Sequence, residues 1–377
     1  MTIITTATAV PTMTHATTKT NVTTMPTKPT MTTMSRRRGG RWTRPWCGLV
    51  AIVIVGAITG TATACKVPVF RYALERWTPA PYRIVVLAAG GMPRTDPRLA
   101  GGLAGGSAGL AGAGRRPIAT LDVVDASQPL EGELAAAWAA HGDRGPVAVV
   151  HYPRLAPASR GRGDGFGRVA HAAPLDEQTA AGILSSPART QIARHLAAGA
   201  AAVWVLLETS DAAANAAARQ TLEQALNRDR DTIRLPDATE LEIDPAVLEQ
   251  VRIPLGIDFP LVRVARDDVR EAFLVDCLLG SEEDLRDYDE PIAFPVFGRG
   301  VVLHAIVGWG ITADNVEAAN AFITGACSCV VKEQNPGFDL LLDVDWDAAV
   351  GDVLVSEPPA PTGTAPKLLT IPPGSRR

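Results

Sequence analysis

The stretch Ile292-Ala-Phe-Pro-Val-Phe-Gly-Arg-Gly-Val-Val-Leu-His-Ala-Ile-Val307 decides how the chain is read. Two apolar runs meet at a tight Gly298-Arg299-Gly300 turn, a pattern that predicts an antiparallel hairpin. Upstream, Phe259-Pro-Leu-Val-Arg-Val264 reads as a strand. Asp267 and Asp268 follow it as candidate caps for a helix in which Val269, Phe273 and Cys277, spaced i, i+4, i+8, share one buried face. Downstream, Thr312 caps a last helix that runs to about Thr324 and stops at Gly325.

Working outward, the N-terminal half alternates in the same way. Solid apolar runs at 83–87, 118–124, 147–152 and 202–207 read as strands, separated by helices near 134–140, from Pro187, and over 212–227. Uninterrupted apolar strands between helices predict an α/β architecture with a mainly parallel, doubly covered sheet. The helix signals are local: Ser186 can accept from the free N–H groups ahead of Pro187, Gly199 can end that helix, and Asp211 can cap the next. Two glycine-rich insertions, 99–114 and 159–168, hold too little side-chain volume to pack and read as surface loops, the second with an Arg-Gly-Asp triplet at 162–164. The expected organisation is an α/β domain over 65–240, a smaller α/β unit over 255–350, and a disordered proline-rich tail over 357–377.

The order strand, helix, hairpin, helix across 259–324, with Pro295 in the first hairpin strand and Gly308 after the second, resembles the C-terminal part of a thioredoxin fold. The resemblance implies that Pro295 is the proline facing a redox pair. Thioredoxin-like enzymes carry Cys-x-x-Cys where the helix begins after the first strand, because the helix N-terminus lowers the thiol pKa. Here that position reads Arg266-Asp267-Asp268-Val269, without a cysteine, which places the usual dithiol chemistry in doubt. The segments 68–77, 294–300 and 327–336 further resemble a family of bacterial exported, lipoprotein-like proteins, a resemblance that implies a location and no activity.

Composition agrees with export. The 377 residues are 46% apolar and 20% charged, enough for a hydrophobic core, and the net charge of −4 hides a split. Residues 1–64 hold Lys19, Lys28, Arg36, Arg37, Arg38, Arg41 and Arg44 and no acid, so the remainder carries 29 basic residues against 40 acids, a balance of −11. An acidic body argues against nucleic acid as a partner, since phosphate neutralisation supplies most of that affinity. The threonine-rich stretch 1–33 reads as disordered or as lying ahead of the true start at Met34. From Met34 the chain has a basic cluster, an apolar run at 48–58 and small residues, the shape of a signal peptide or membrane anchor over 34–64. Thr61-Ala-Thr-Ala-Cys65 resembles a bacterial lipoprotein signal, which makes Cys65 the candidate lipidation site, although Ala62 stands where a larger aliphatic residue is usual. Cleavage at Ala62-Thr63-Ala64 without lipidation, or retention of a short transmembrane anchor, are the other readings. The expected partner is therefore the membrane, with the acidic body exported to the cell envelope.

Chemistry-bearing residues are few. Cys277, Cys327 and Cys329 are the body cysteines. The Cys327-Ser328-Cys329 pair could close a strained, labile disulfide and so act as catalytic thiols together with Pro295. Alternatively Cys277 could bridge to one of the pair as a structural disulfide, or the two sulfurs could hold Cu(I) or Zn with Cys277 or His304. A second constellation places His151 and Glu208, with Asp125 and Tyr152 nearby, at strand C-terminal ends, where open α/β sheets form their ligand crevice. There His151 could act as base and Glu208 as its orienting acid. No cofactor motif occurs, so none is expected. The reading from sequence is an exported, membrane-anchored, thioredoxin-like accessory protein, thiol-dependent through Cys327 and Cys329, with an envelope enzyme or ligand binder built on His151 and Glu208 as the alternative.

Overall fold

The computed structural model describes residues 66–90, 119–153, 167–327 and 337–356. The signal region with Cys47 and Cys65, both glycine-rich insertions but for Gly167 and Arg168, Cys329 and the proline-rich tail lie outside the described residues.

A short helix α1 (Val69–Arg76) leads into the first sheet: β1 (Tyr82–Ala88), β2 (Ala119–Asp125), β3 (Val147–His151) and β4 (Val169–Pro174). Helix α2 (Gly132–His141) joins β2 to β3. The strand order is β2-β1-β3-β4, with β1 parallel to β2 but antiparallel to β3, and β3 antiparallel to β4. The mainly parallel sheet expected here is thus a mixed one. Solid apolar runs report burial, as in the central strands β1 and β3, and say nothing about strand direction, while the edge strand β2 leaves Val123 49% exposed. Tyr82, Ile84 and Val86 enter one cluster while Val85 and Leu87 join Ala137 of α2 in another.

Helices α3 (Glu177–Leu184) and α4 (Pro187–Ala197) follow, then β5 (Ala202–Glu208), the long α5 (Ala212–Thr232), short α6 (Ala238–Leu241) and α7 (Pro245–Gln250), and β6 (Leu261–Ala265). Next come α8 (Ala272–Leu279), β7 (Ile292–Phe297), β8 (Val301–Val302), β9 (Ile306–Val307), α9 (Ala313–Thr324), β10 (Phe338–Asp339) and α10 (Trp346–Val350). The second sheet runs β10-β8-β7-β5-β6, with β9 also on β7. Strand β5, grouped by sequence with the first half, therefore sits inside the second sheet, parallel to β6 and antiparallel to β7.

Capping follows the sequence. The Ser186 side chain accepts from Arg189 N–H, Asp211 from Ala213 and Ala214, and Thr312 from Asn315, while Gly199 leaves α4 at φ +100°. One helix register differs. Asp268 caps a single 3-10 turn, α8 begins only at Ala272, and Val269 is 72% exposed while Phe273 and Cys277 are buried.

The predicted hairpin forms, with Phe297 opposite Val301 and Val296 opposite Val302, but its second strand breaks into β8 and β9. Pro295 accounts for the break. Its carbonyl accepts from Leu303 N–H, so its ring nitrogen faces the same side and has no hydrogen to give where the ladder would continue. Toward β5, Pro295 pairs with Trp204, whose own N–H donates the other way to Pro260, so that side loses nothing.

The second sheet separates two cores. Val203, Val205, Leu207, Ile292, Phe294 and Val296 face the larger cluster, shared with the first sheet and with α3, α4 and α8. Trp204, Leu206, Ala293 and Phe297 face the cluster under α1, α5 and α9. No helix among the described residues is long and apolar enough to cross a membrane.

Candidate functional site

The cysteines do not converge. Cys277 on α8 lies in the cluster between the sheets, and Cys327 lies in the cluster on the far side of the second sheet, so the sheet itself stands between them. A Cys277–Cys327 bridge is ruled out by that layering, and Cys277 is a free thiol. Burial pushes the Cys277 thiol up to about 12, outweighing the nearby Arg189 cation, so it stays protonated and unreactive. Cys327 is 1% exposed, its N–H donating to the Val67 carbonyl where the chain enters α1. Pro295 is buried in mid-strand as the ladder-breaking residue described above. Among the described residues no group of three or more His, Cys, Asp or Glu could hold a metal, and the expected site on Cys327 and Cys329 involves Cys329, which lies outside them.

His151 and Glu208 occupy different sheets. The His151 ring Nδ1 lies 3.1 Å from the Gly167 carbonyl, at the bulge between β3 and β4. Both Glu208 oxygens are taken by Arg263, at 2.6 and 3.0 Å. Asp125 is occupied in the turn after β2, accepting from Gly90, Ser127 N–H and the Ser127 hydroxyl. The Tyr152 hydroxyl donates to the Cys277 carbonyl at 2.6 Å. The base–acid pair expected from strand ends is not assembled, because the strand carrying Glu208 belongs to the other sheet.

The structure instead brings together residues that sequence reasoning passed over. His171, in the middle of β4, places Nδ1 2.7 Å from Asp276 Oδ2 on α8, and Asp276 Oδ1 accepts from Arg286 Nη1 at 3.1 Å. Burial pushes the Asp276 carboxyl up, but hydrogen bonding and charge from His171 and the Arg286 guanidinium win, and it is held below the usual carboxylate range. An ionised carboxylate only accepts, so the proton of this bond is donated by His171 Nδ1.

His171 also lines a cavity of about 230 Å³ between β4, α3 and the turn leading into α8. Its polar lining includes Asp176, Gln178, Thr179 and Arg270, and its apolar lining includes Ile183 and Phe273. The floor is braced from behind. Arg189, 2% exposed, stacks its guanidinium 4.8 Å from the Phe273 ring centroid and donates to the carbonyls of Gly182, Ile183 and Leu341. Burial lowers this guanidinium to about 10, against the opposing pull of Cys277 and Glu271, so it remains charged. His171 meets Phe273 edge-on at 5.8 Å, so ring and imidazole fix each other.

No protein-family model, curated protein or solved structure matches the chain.

Proposed function

We propose that the chain is an exported, membrane-anchored accessory protein of thioredoxin-like architecture that works by binding rather than by dithiol exchange. The observation that carries this reading is a repeated topology. The order strand, crossover, parallel strand, helix, antiparallel hairpin, helix occurs once in β1 to α3 and again in β5 to α9, each sheet pairing its first strand in parallel with the second and antiparallel with the third. Neither copy has cysteines where thioredoxin-like enzymes keep them. The helix after β5 opens with Thr209-Ser210-Asp211-Ala212, and residues 89–118, between β1 and β2, contain no cysteine. A thiol-dependent variant of the reading rests on Cys327 with Cys329. Against it stand the near-complete burial of Cys327 and the protonated state of Cys277.

The test is an insulin-disulfide reduction assay on the full chain, beside a thiol count under native and unfolding conditions. The expected result is no turnover above the uncatalysed rate, with Cys277 labelled only on unfolding. Turnover that Cys327→Ser abolishes would replace the binding reading with the redox one. Palmitate labelling that Cys65→Ala removes is expected for the anchor, and its absence in the wild type would remove lipidation.

A further inference from the structure

We infer that the face around Val67, made of α6, α7 and the last described residues, Val355 and Ser356, lies on the bilayer surface, held there by a lipid on Cys65. This rests on the anchored reading above and adds which side of the body meets the membrane. The tether comes first. Cys65 directly precedes Lys66, and the chain is fixed from Val67 onward. Val67 is 5% exposed and its carbonyl accepts from Cys327 N–H, Pro68 bridges to Ala326, and Val69 N–H donates to the Gly325 carbonyl. Two residues span at most about 7 Å, so a lipid on Cys65 brings Val67 close to the headgroups.

Unwinding α1 does not lengthen this tether at low cost. Val69, Phe70 and Ala73 are buried in one cluster with Trp204, and Glu75 holds the N–H groups of Val355 and Ser356. Releasing the helix would expose that apolar area and break the buried Arg71–Glu75 pair.

What surrounds the tether comes second. Val67 packs with Leu241 and Val355, and Ile243, Leu248 and Val251 pack around them. Helix α7 has no buried residue, and its Pro245, Ala246 and Glu249 are exposed. Lys66 is taken by Glu242, which leaves Asp237, Glu240, Asp244 and Glu249 against Arg252. An acidic face gains nothing from anionic lipid, so the surface it fits is zwitterionic and the tether sets the contact. Trp309 is the competing membrane contact, since it is 95% exposed and indoles favour the interface. Its turn is held to the start of α9 by Asn315 Nδ2 on the Gly310 carbonyl, whereas the tether meets the opposite end of that helix. The 12 residues of α9 put the two about 18 Å apart.

The test places the full chain in phosphatidylcholine vesicles, with and without a headgroup-nitroxide lipid, and follows tryptophan emission. Palmitate labelling and vesicle flotation establish the anchor first. In Glu249→Trp with Trp309→Phe, both at exposed positions, the new indole on α7 is expected to lose most of its emission to labelled lipid. Trp309, read as the difference between wild type and Trp309→Phe, should lose little and stay open to iodide. Added phosphatidylglycerol should not strengthen the quenching at position 249. An indole at 249 quenched no more than Trp309 overturns the inference and leaves the anchored reading standing. So does quenching at 249 that appears only with phosphatidylglycerol. A wild-type chain that takes up no palmitate, or does not float, removes the lipid anchor and the inference with it.

Discussion

Asp276 shows how one carboxylate joins two halves of a chain. It lies 105 positions from His171 in sequence, yet its Oδ2 holds the His171 ring on β4 while its Oδ1 takes Arg286, ten residues further on. Because its folded pKa lies below the unfolded value of about 3.9, the carboxylate adds stability that is complete above that value and is lost as pH falls toward the folded pKa. Asp276→Asn is therefore expected to cost about 1.5–3 kcal/mol near neutral pH, the range for a hydrogen bond to a charged group. The difference from wild type should shrink below about pH 4, where the wild-type carboxyl also begins to take up a proton. Urea unfolding of both proteins at pH 7 and pH 3 measures this, and a cost that does not depend on pH would mean the charge plays no part. None of this pairing was legible in sequence. His171 sits among alanines in Val169-Ala-His-Ala-Ala-Pro174, too small and too short an apolar run to announce a strand, and no local motif links it to α8. The cysteines drew attention instead because their spacing is visible along the chain, whereas their separation by a sheet is not.

Among the elements, the hairpin and the helix caps were readable because their physics is local: a glycine turn, a serine or aspartate ahead of free N–H groups. Strand β5 was misgrouped because its partners β6 and β7 come later in the chain, and pairing, unlike capping, is not a neighbour effect. Helix α1 shows a further layer that sequence hides. The Gly298-Arg299-Gly300 turn, with φ of +59° and +109° at its glycines, brings Arg299 Nε to the Leu74 carbonyl at 2.7 Å and caps the helix end. A Cβ on Gly298 would lie 2.6 Å from that of Ala73, so the close approach needs glycine. On the same helix, the buried Glu75 carboxylate accepts from Arg71 at 2.6 Å and from the N–H groups of Val355 and Ser356 at 2.9 and 2.7 Å. Helix α1 is thereby a clasp on the C-terminal end of the described chain. Glu75→Ala leaves Arg71 as a buried, uncompensated charge and is expected to cost about 3–5 kcal/mol. It should also speed amide exchange at Val355 and Ser356 more than at Trp346, which the carboxylate does not touch. Unchanged exchange at 355 and 356 would show that the clasp is held by something else.

At the scale of the whole molecule, the two sheets resemble one another in topology but do not own separate cores. Tyr82, Ile84, Val86 and Val150 of the first sheet enter the same buried cluster as Val203, Val205, Val264 and Phe294 of the second, with Ile192, Leu196, Leu274 and Leu278 of the intervening helices between them. Opening either sheet alone would expose half of a shared apolar interior, and at about 25 cal/mol per Å² that exposure opposes any stable half-folded state. Two similar halves therefore predict two transitions, while one continuous core predicts one. The core governs, because cooperativity follows from what is exposed on opening rather than from how strands are connected. Urea unfolding of the full chain is expected to show coincident transitions by far-UV circular dichroism and by tryptophan emission, to which Trp138 on the outer face of the first sheet and Trp204 within the second both contribute. Native-state amide exchange at Val86 and Val205 should converge on the same free energy as denaturant is added. A first sheet that opens earlier, with Val86 exchanging at lower free energy than Val205 throughout, would establish instead that the halves are energetically separate and that the helices between them belong to one side only.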